Sequence, residues 1–221
     1  MPSMPTGPSR RNLLRLSVAV GGAVVLGGVG STVTATAARA QPQIYTREDW
    51  GARPPSAPIQ VLPTPPDTIV VHHTASDNTP DTSLEQAFAL SRWIQDLHMD
   101  DNGWSDAGQQ LTISRGGYLL EGRDQSLEAI QSGQHVVGAH VGGENSHTIG
   151  IENEGIYVSE DVPDALWQSL VETVRWLCDA YGLDPATSIA GHRDFNATQC
   201  PGDVLYARLP ELREQVARLL G

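Results

Sequence analysis

The chain has 221 residues, a net charge of −12 and 14 basic residues, all of them Arg. Four arginines (Arg10, Arg11, Arg15, Arg39) fall in the first forty residues, where no acid occurs, so removing that segment leaves a net charge of −16. So acidic a surface argues against nucleic-acid binding, which needs a basic footprint, and the remaining length of about 180 residues suits one domain with one core.

Residues 1–40 read as an export signal. Ser9-Arg10-Arg11-Asn12-Leu13-Leu14 is a twin-arginine opening, residues 16–33 form an uncharged Gly-, Ala- and Val-rich stretch, and Ala38-Arg39-Ala40 is the small-x-small pattern that signal peptidase reads. The apolar run is glycine-rich and barely long enough to span a bilayer. The expectation is a cleaved signal that leaves no stable membrane anchor and sends the protein by the twin-arginine route to the cell wall or the medium. Residues 41–66 then form an extended, proline-punctuated arm packed on the domain, and residues 67–221 form the domain itself.

Ile69-Val70-Val71-His72-His73 is β-branched and apolar and predicts a buried strand. A helix is predicted from a cap at Asp81 or Thr82 to about residue 99, with Glu85 at the capping-box position and Leu84, Ala87, Phe88, Ile94 and Leu97 on one face. Residues 110–114 and 118–121 flank Arg115-Gly116-Gly117 as a hairpin. Thr148-Ile149-Gly150-Ile151-Glu152 predicts another strand. A helix opens at Pro163 or Asp164 and runs to about Tyr181, with Leu166, Leu170, Val174, Leu177 and Tyr181 at core spacing and Gly182 as its stop. A final helix follows Pro210, with Leu212, Val216 and Leu219 facing in. Strands alternating with helices indicate the α/β class, here a single domain whose hairpin makes the sheet mixed.

The chemistry concentrates in Gly191-His192-Arg193-Asp194-Phe195-Asn196-Ala197-Thr198-Gln199-Cys200, a turn-rich segment, and in His72 at the end of the first buried strand. Imidazole and thiolate are donors that zinc prefers, and three protein ligands leave a fourth position for water. His72, His192 and Cys200 are therefore a candidate hydrolytic Zn2+ triad. The competing reading makes Cys200 a nucleophile and His192 its base, although Cys200 precedes Pro201-Gly202 and has no helix N-terminus to lower its pKa. Two cysteines in an exported chain normally suggest a disulfide. Cys178, however, lies on the apolar spacing of a helix, so a buried thiol and a metal thiolate are expected instead.

Val70-Val71-His72-His73-Thr74, Trp104-Ser105-Asp106-Ala107-Gly108, Leu120-Glu121-Gly122-Arg123, Val137-Gly138-Ala139-His140, Ile149-Gly150-Ile151 and the segment from His192 to Asp203 stand in one order. That ordered set resembles the type-2 N-acetylmuramoyl-L-alanine amidases, in the branch shared with peptidoglycan recognition proteins. The resemblance runs from about residue 45 to 209. It implies a mixed central sheet covered by helices, with zinc on the floor of a groove held by His72, His192 and Cys200. It implies a zinc-dependent hydrolase that cuts the amide between N-acetylmuramic acid and L-alanine in peptidoglycan, acting on muramyl peptides; a monomer is the default expectation, not one the resemblance gives. The alternative is a recognition module with little or no turnover. Binding-only relatives have lost a zinc ligand, commonly the Cys, and this chain keeps all three.

One departure matters. Many zinc-dependent relatives have Tyr directly after the glycine of the Trp-x-Asp-x-Gly motif, and this chain has Gln109, a poor base. Recycling amidases use a Glu in Ile-Gly-Ile-Glu, which Glu152 matches here. Glu152 is thus the expected general base, and Glu154, on the same strand face, is the reserve. Thr198 stands where some relatives have an oxyanion-stabilising Lys. His73, Trp104 and His140 are groove residues by resemblance, with His98 equally suited to the core. His135 and His147 are expected on exposed loops. Arg123 is suited either to a stem-peptide carboxylate or to a structural ion pair.

Overall fold

Alternation of side chains along two adjacent strands governs the architecture of this protein. The computed structural model describes residues 41–221, so the predicted twin-arginine signal lies outside the described residues. In chain order the elements are β1 (Ile44–Tyr45), α1 (Arg47–Trp50), β2 (Val61–Leu62), β3 (Thr68–His73), α2 (Leu84–Asp96), β4 (Leu111–Ile113), β5 (Leu119–Glu121), α3 (Ser126–Gln131), β6 (His135–Val136), β7 (Thr148–Asn153), α4 (Asp164–Tyr181), β8 (Ile189–Gly191), α5 (Asp203–Ala207) and α6 (Leu209–Leu220). A π-helical turn, Leu97–Asp101, extends α2, and a 3-10 turn, His192–Asp194, follows β8.

The main sheet runs β1-β5-β4-β7-β3-β8, and β2 pairs with β6 in a separate antiparallel ribbon. Only the β4–β5 hairpin is antiparallel within the main sheet; its other neighbours are parallel. The sheet is therefore mixed and the class is α/β. Ile69, Val71, Ile149 and Ile151 share one face of β3 and β7, because successive side chains point to opposite sides. They join Leu166, Leu170, Val174 and Leu177 of α4 and Leu212 and Val216 of α6 in one buried cluster. Each of those Leu or Ile side chains contributes roughly 1.5–3 kcal/mol by leaving water. On the other face, Trp50 of α1, Ala87 of α2 and Leu120 of β5 form a smaller cluster. That cluster covers one end of the face and leaves the stretch bearing His72 and Glu152 for other uses. Among the described residues no helix is long and apolar enough to cross a membrane.

Several local expectations are corrected. Ser83, not Asp81 or Thr82, caps α2: its Oγ accepts from Gln86 N at 3.2 Å, while Asp81 turns to accept from Ser83 N at 2.9 Å. The arm is not extended throughout, since it closes a helical turn at Arg47–Trp50 and adds β1 to the sheet edge. Leu219 is exposed, and Leu220, four residues after Val216, continues the buried face of α6 instead. His135 is buried in β6, where Nε2 meets Asn145 O at 2.9 Å. His147 is half-exposed, as expected of a loop, but it bridges Asp67 Oδ1 and Glu144 Oε2, each at 2.8 Å.

Candidate metal centre

The C-terminal ends of the parallel strands β3, β7 and β8 deliver the site. His72 is the penultimate residue of β3, β8 runs directly into His192, and Glu152 of β7 is the register partner of His72. Parallel register puts His72 and Glu152 side by side on the face opposite the α4 core. The loop after the 3-10 turn brings Cys200 back over the end of β3, where Sγ accepts from His73 N at 3.4 Å and lies 3.6 Å from His72 Nδ1. The candidate ligand atoms of His72, His192 and Cys200 all lie within 4.8 Å of one another. The rings of His72 and His192 are 4.5 Å apart between centroids. Two imidazoles and a thiol converging so closely fit a zinc ion by the chemistry of the donor set.

Electrostatics favour neutral imidazoles here. Burial holds His72 well below the ordinary histidine range, and neighbouring His140 and His192 add to the effect. His192 is also lowered by burial, against a hydrogen bond to Asn196. A neutral ring is the form that binds metal. Burial pushes the Cys200 thiol up to about 12, with Glu152 also raising it. Such a thiol is a poor free nucleophile, which disfavours the cysteine-peptidase reading. Both cysteines are free, and Cys178 is buried in α4.

Glu152 is partly exposed beside His72 in the sheet, and burial raises its pKa to about 8. Among the described residues nothing hydrogen-bonds its carboxylate. Glu154 differs: Oε1 accepts from Gln86 Nε2 at 2.9 Å and Oε2 from Arg115 N at 2.7 Å. That carboxylate ties the hairpin turn to α2 with each of its oxygens engaged. Thr198 is exposed, and its Oγ1 accepts from Cys200 N at 3.2 Å, which leaves its hydroxyl hydrogen available.

Trp104, His140 and His192 line a pocket of about 370 Å3 beside the triad. The Trp104 ring packs on His98 at 4.6 Å, and His98 Nδ1 accepts from Gly108 N at 3.0 Å, so His98 supports the groove wall from behind. His140 lies against His72, with a ring nitrogen on each side engaged: Nδ1 faces His72 Nε2 at 3.0 Å and Nε2 faces Thr148 O at 3.3 Å. Burial lowers its pKa to about 3. His73 points to the opposite face from His72; its Nδ1 accepts from Tyr157 N at 3.2 Å, and burial brings its pKa to about 4. The structure therefore brings Trp104 and His140 to the groove and turns His73 away from that pocket.

Other motif residues are structural. Asp106 is fully buried and receives Arg47, Gln95 Nε2 at 2.7 Å and Asp124 N at 2.8 Å. Arg123 donates to Ala107 O and Ser105 Oγ, which fixes the Trp104 loop rather than leaving a cation for a ligand. Gln109 is buried and donates to Thr112 Oγ1 at 2.9 Å. Sequence reasoning missed Asn196 and Arg193. Asn196 Oδ1 faces His192 Nε2 at 3.1 Å. The Arg193 backbone N–H donates to Cys200 O at 3.0 Å, and its guanidinium donates to Gln199 O, clamping the thiol loop. The His192-to-Asn196 spacing of four was the one available signal for the first of these.

Residues 62–203 match the sequence profile described as N-acetylmuramoyl-L-alanine amidase. The chain is 33% identical over 166 residues to the human protein of that name, spanning 75% of this chain and 27% of that one. The chain thus covers about a quarter of the length of the mammalian amidases it matches. It is 35% identical over 167 residues to peptidoglycan recognition protein 1 of Bos indicus, spanning 74% and 80% of the two chains. The fold is similar to Drosophila PGRP-LB, solved as a point mutant in complex with tracheal cytotoxin. The TM-score is 0.66 at 27% identity, covering 75% of this chain and 92% of that one.

Proposed function

The chain belongs to the N-acetylmuramoyl-L-alanine amidase family, and from that premise we propose that it is a zinc-dependent hydrolase of the amide between N-acetylmuramic acid and L-alanine. The observation that carries this reading is the convergence of His72, His192 and Cys200 within 4.8 Å, beside a Glu152 carboxylate in register with His72. Zinc held by those three side chains would supply a Lewis acid for the amide carbonyl and a water of lowered pKa.

The chain's own groups do the rest. Glu152 takes the proton of the attacking water and hands it to the departing alanyl nitrogen. Burial holds its pKa at about 8 in the metal-free chain, and a zinc ion beside it would lower that value and favour the ionised carboxylate a base needs. Thr198 offers a neutral O–H to the developing oxyanion, a weaker donor than a cation in that place. Trp104 and the backbone around His140 and Val141 give the muramyl peptide a partly apolar wall. Muramyl peptides are the proposed ligand class, supported by the cytotoxin complex of the Drosophila relative. The twin-arginine motif of residues 1–40 supports an exported protein acting at the cell wall.

Retention of Cys200 favours turnover over recognition alone. The test is zinc content alongside hydrolysis of muramyl peptides. One zinc per chain is expected, lost together with turnover in His72→Ala, His192→Ala and Cys200→Ser. Full turnover by Cys200→Ser would contradict the reading.

A further inference from the structure

The loop between β6 and β7 reaches both histidines of the candidate metal centre, His72 directly through His140 and His192 through Asn196, and the hydrogen bonds there leave little freedom. Thr148 O can only accept, so the His140 Nε2 facing it at 3.3 Å carries hydrogen. In a neutral ring His140 Nδ1 is then an acceptor. The His72 Nε2 lying 3.0 Å from it must therefore donate, which strips His72 Nδ1 of hydrogen on the side that faces Cys200 Sγ. The second histidine follows the same logic. Asn196 Oδ1 accepts from Gly142 N at 3.0 Å while Asn196 Nδ2 donates to Gly142 O at 3.3 Å, which fixes the amide orientation. His192 Nε2, at 3.1 Å from that oxygen, is a donor, and its Nδ1 is bare.

The loop is itself held. Asn145 Oδ1 accepts from His140 N at 2.8 Å and from Val141 N at 3.0 Å. Two glycines make room for the ring: a Cβ at residue 150 would lie 2.7 Å from His140 Nδ1, and one at residue 138 would lie 2.6 Å from its Cδ2. Gly150, in the Ile-Gly-Ile-Glu run, is thus explained by the imidazole lying on it.

We infer that residues 140–145 are the positioning element of the metal centre, His140 Nδ1 accepting a hydrogen bond from His72 Nε2–H and Gly142, through Asn196, orienting His192, so that both rings present bare Nδ1 atoms. His140 is on this account a positioning residue rather than a substrate contact. The inference rests on the metal reading above but not on amide cleavage. Ligating imidazoles commonly donate their second N–H to such a partner, and losing it weakens metal binding by ~10–100-fold.

The test begins with long-range 1H–15N spectra of the imidazoles in the metal-free chain. Both His72 and His192 are expected as Nε2–H tautomers; an Nδ1–H tautomer at His72 would overturn the inference without any variant. Zinc affinity, measured by competition with a chromophoric chelator, should fall ~10–100-fold in His140→Phe and in Asn196→Ala. His140→Asn, whose Oδ1 can replace the lost acceptor, should recover most of the first loss. His72 should become a tautomer mixture in His140→Phe while His192 does not, and the reverse should hold in Asn196→Ala. Unchanged zinc affinity in Asn196→Ala and His140→Phe would overturn the inference. A chain with the expected tautomers and zinc affinity but no amidase turnover would sink the proposed reaction and leave this inference standing.

Discussion

Two faces of the same two strands behave differently. On one face of β3 and β7, Ile69, Val71, Ile149 and Ile151 disappear under α4 and α6. On the other, one residue out of step, His72, Gly150 and Glu152 build the candidate metal centre and carry its proposed base. The apolar face is held by area: many similar contacts, none of them unique, with tolerance for volume-conserving exchange. The polar face is held by individual hydrogen bonds, where each acceptor determines which proton its neighbour carries. Parallel pairing serves both, because the register that stacks isoleucines on one side aligns His72 with Glu152 on the other.

If this contrast is right, substitutions on the polar face change chemistry without unfolding the chain, and those on the apolar face do the opposite. The largest effect is expected at Glu152→Gln, with hydrolysis of muramyl peptides falling ~100–10,000-fold while zinc stays bound. Steady-state kinetics with zinc analysis checks it, and activity within threefold of the parent would transfer the base role elsewhere. On the apolar face, Ile151→Ala should cost about 2–5 kcal/mol in denaturant unfolding while turnover per folded molecule is kept.

The pH dependence of stability separates the faces further. Glu152 has a folded pKa raised by burial from 4.5 to about 8, so the folded state holds more protons than the unfolded state between those values. Its contribution is therefore lost as pH rises from 4.5 to 8, by up to ~5 kcal/mol in the metal-free chain. Glu152→Gln should raise the melting temperature of metal-free protein at pH 8 and leave it unchanged at pH 4. The buried imidazoles act in the other direction. His140 falls to about 3 and His98 to about 4, so their stabilising effect is complete above 6.5 and lost as pH drops toward those values. Melting temperature against pH for metal-free parent, Glu152→Gln and His98→Gln resolves the two trends; a Glu152→Gln curve parallel to the parent would remove the basis for a tuned carboxylate. A smaller effect is expected at Glu154→Gln, about 1–3 kcal/mol in stability from weakened bonds to Arg115 N and Gln86, with turnover retained.

How much of this was legible depends on periodicity and residue type. β3, β7 and α4 were readable because β-branched runs and 3.6-residue spacing carry a repeating signal. The triad was readable because His and Cys are rare and chemically specific. Asn145, Asn196 and the backbone of Gly142 were not, since an amide that buttresses an imidazole looks in sequence like any loop residue. His135 was misplaced for a related reason: its burial comes from β6 packing and the Asn145 carbonyl, neither of which repeats along the chain. The short helices α3 and α5, of six and five residues, fall below the length at which an amphipathic pattern can be counted. Gln109, singled out in the sequence as a departure, pairs with Thr112, a side chain turned to local structure.

The central claim is that hydrolysis depends on a metal held by His72, His192 and Cys200. The most direct measurement is mass spectrometry of the products that the purified chain releases from muramyl peptides, run as purified, after chelation, and after zinc is restored. The account predicts free stem peptides with an L-alanyl N-terminus that vanish on chelation and return with zinc. Cleavage indifferent to the chelator, or tight binding without product in all three samples, would contradict it.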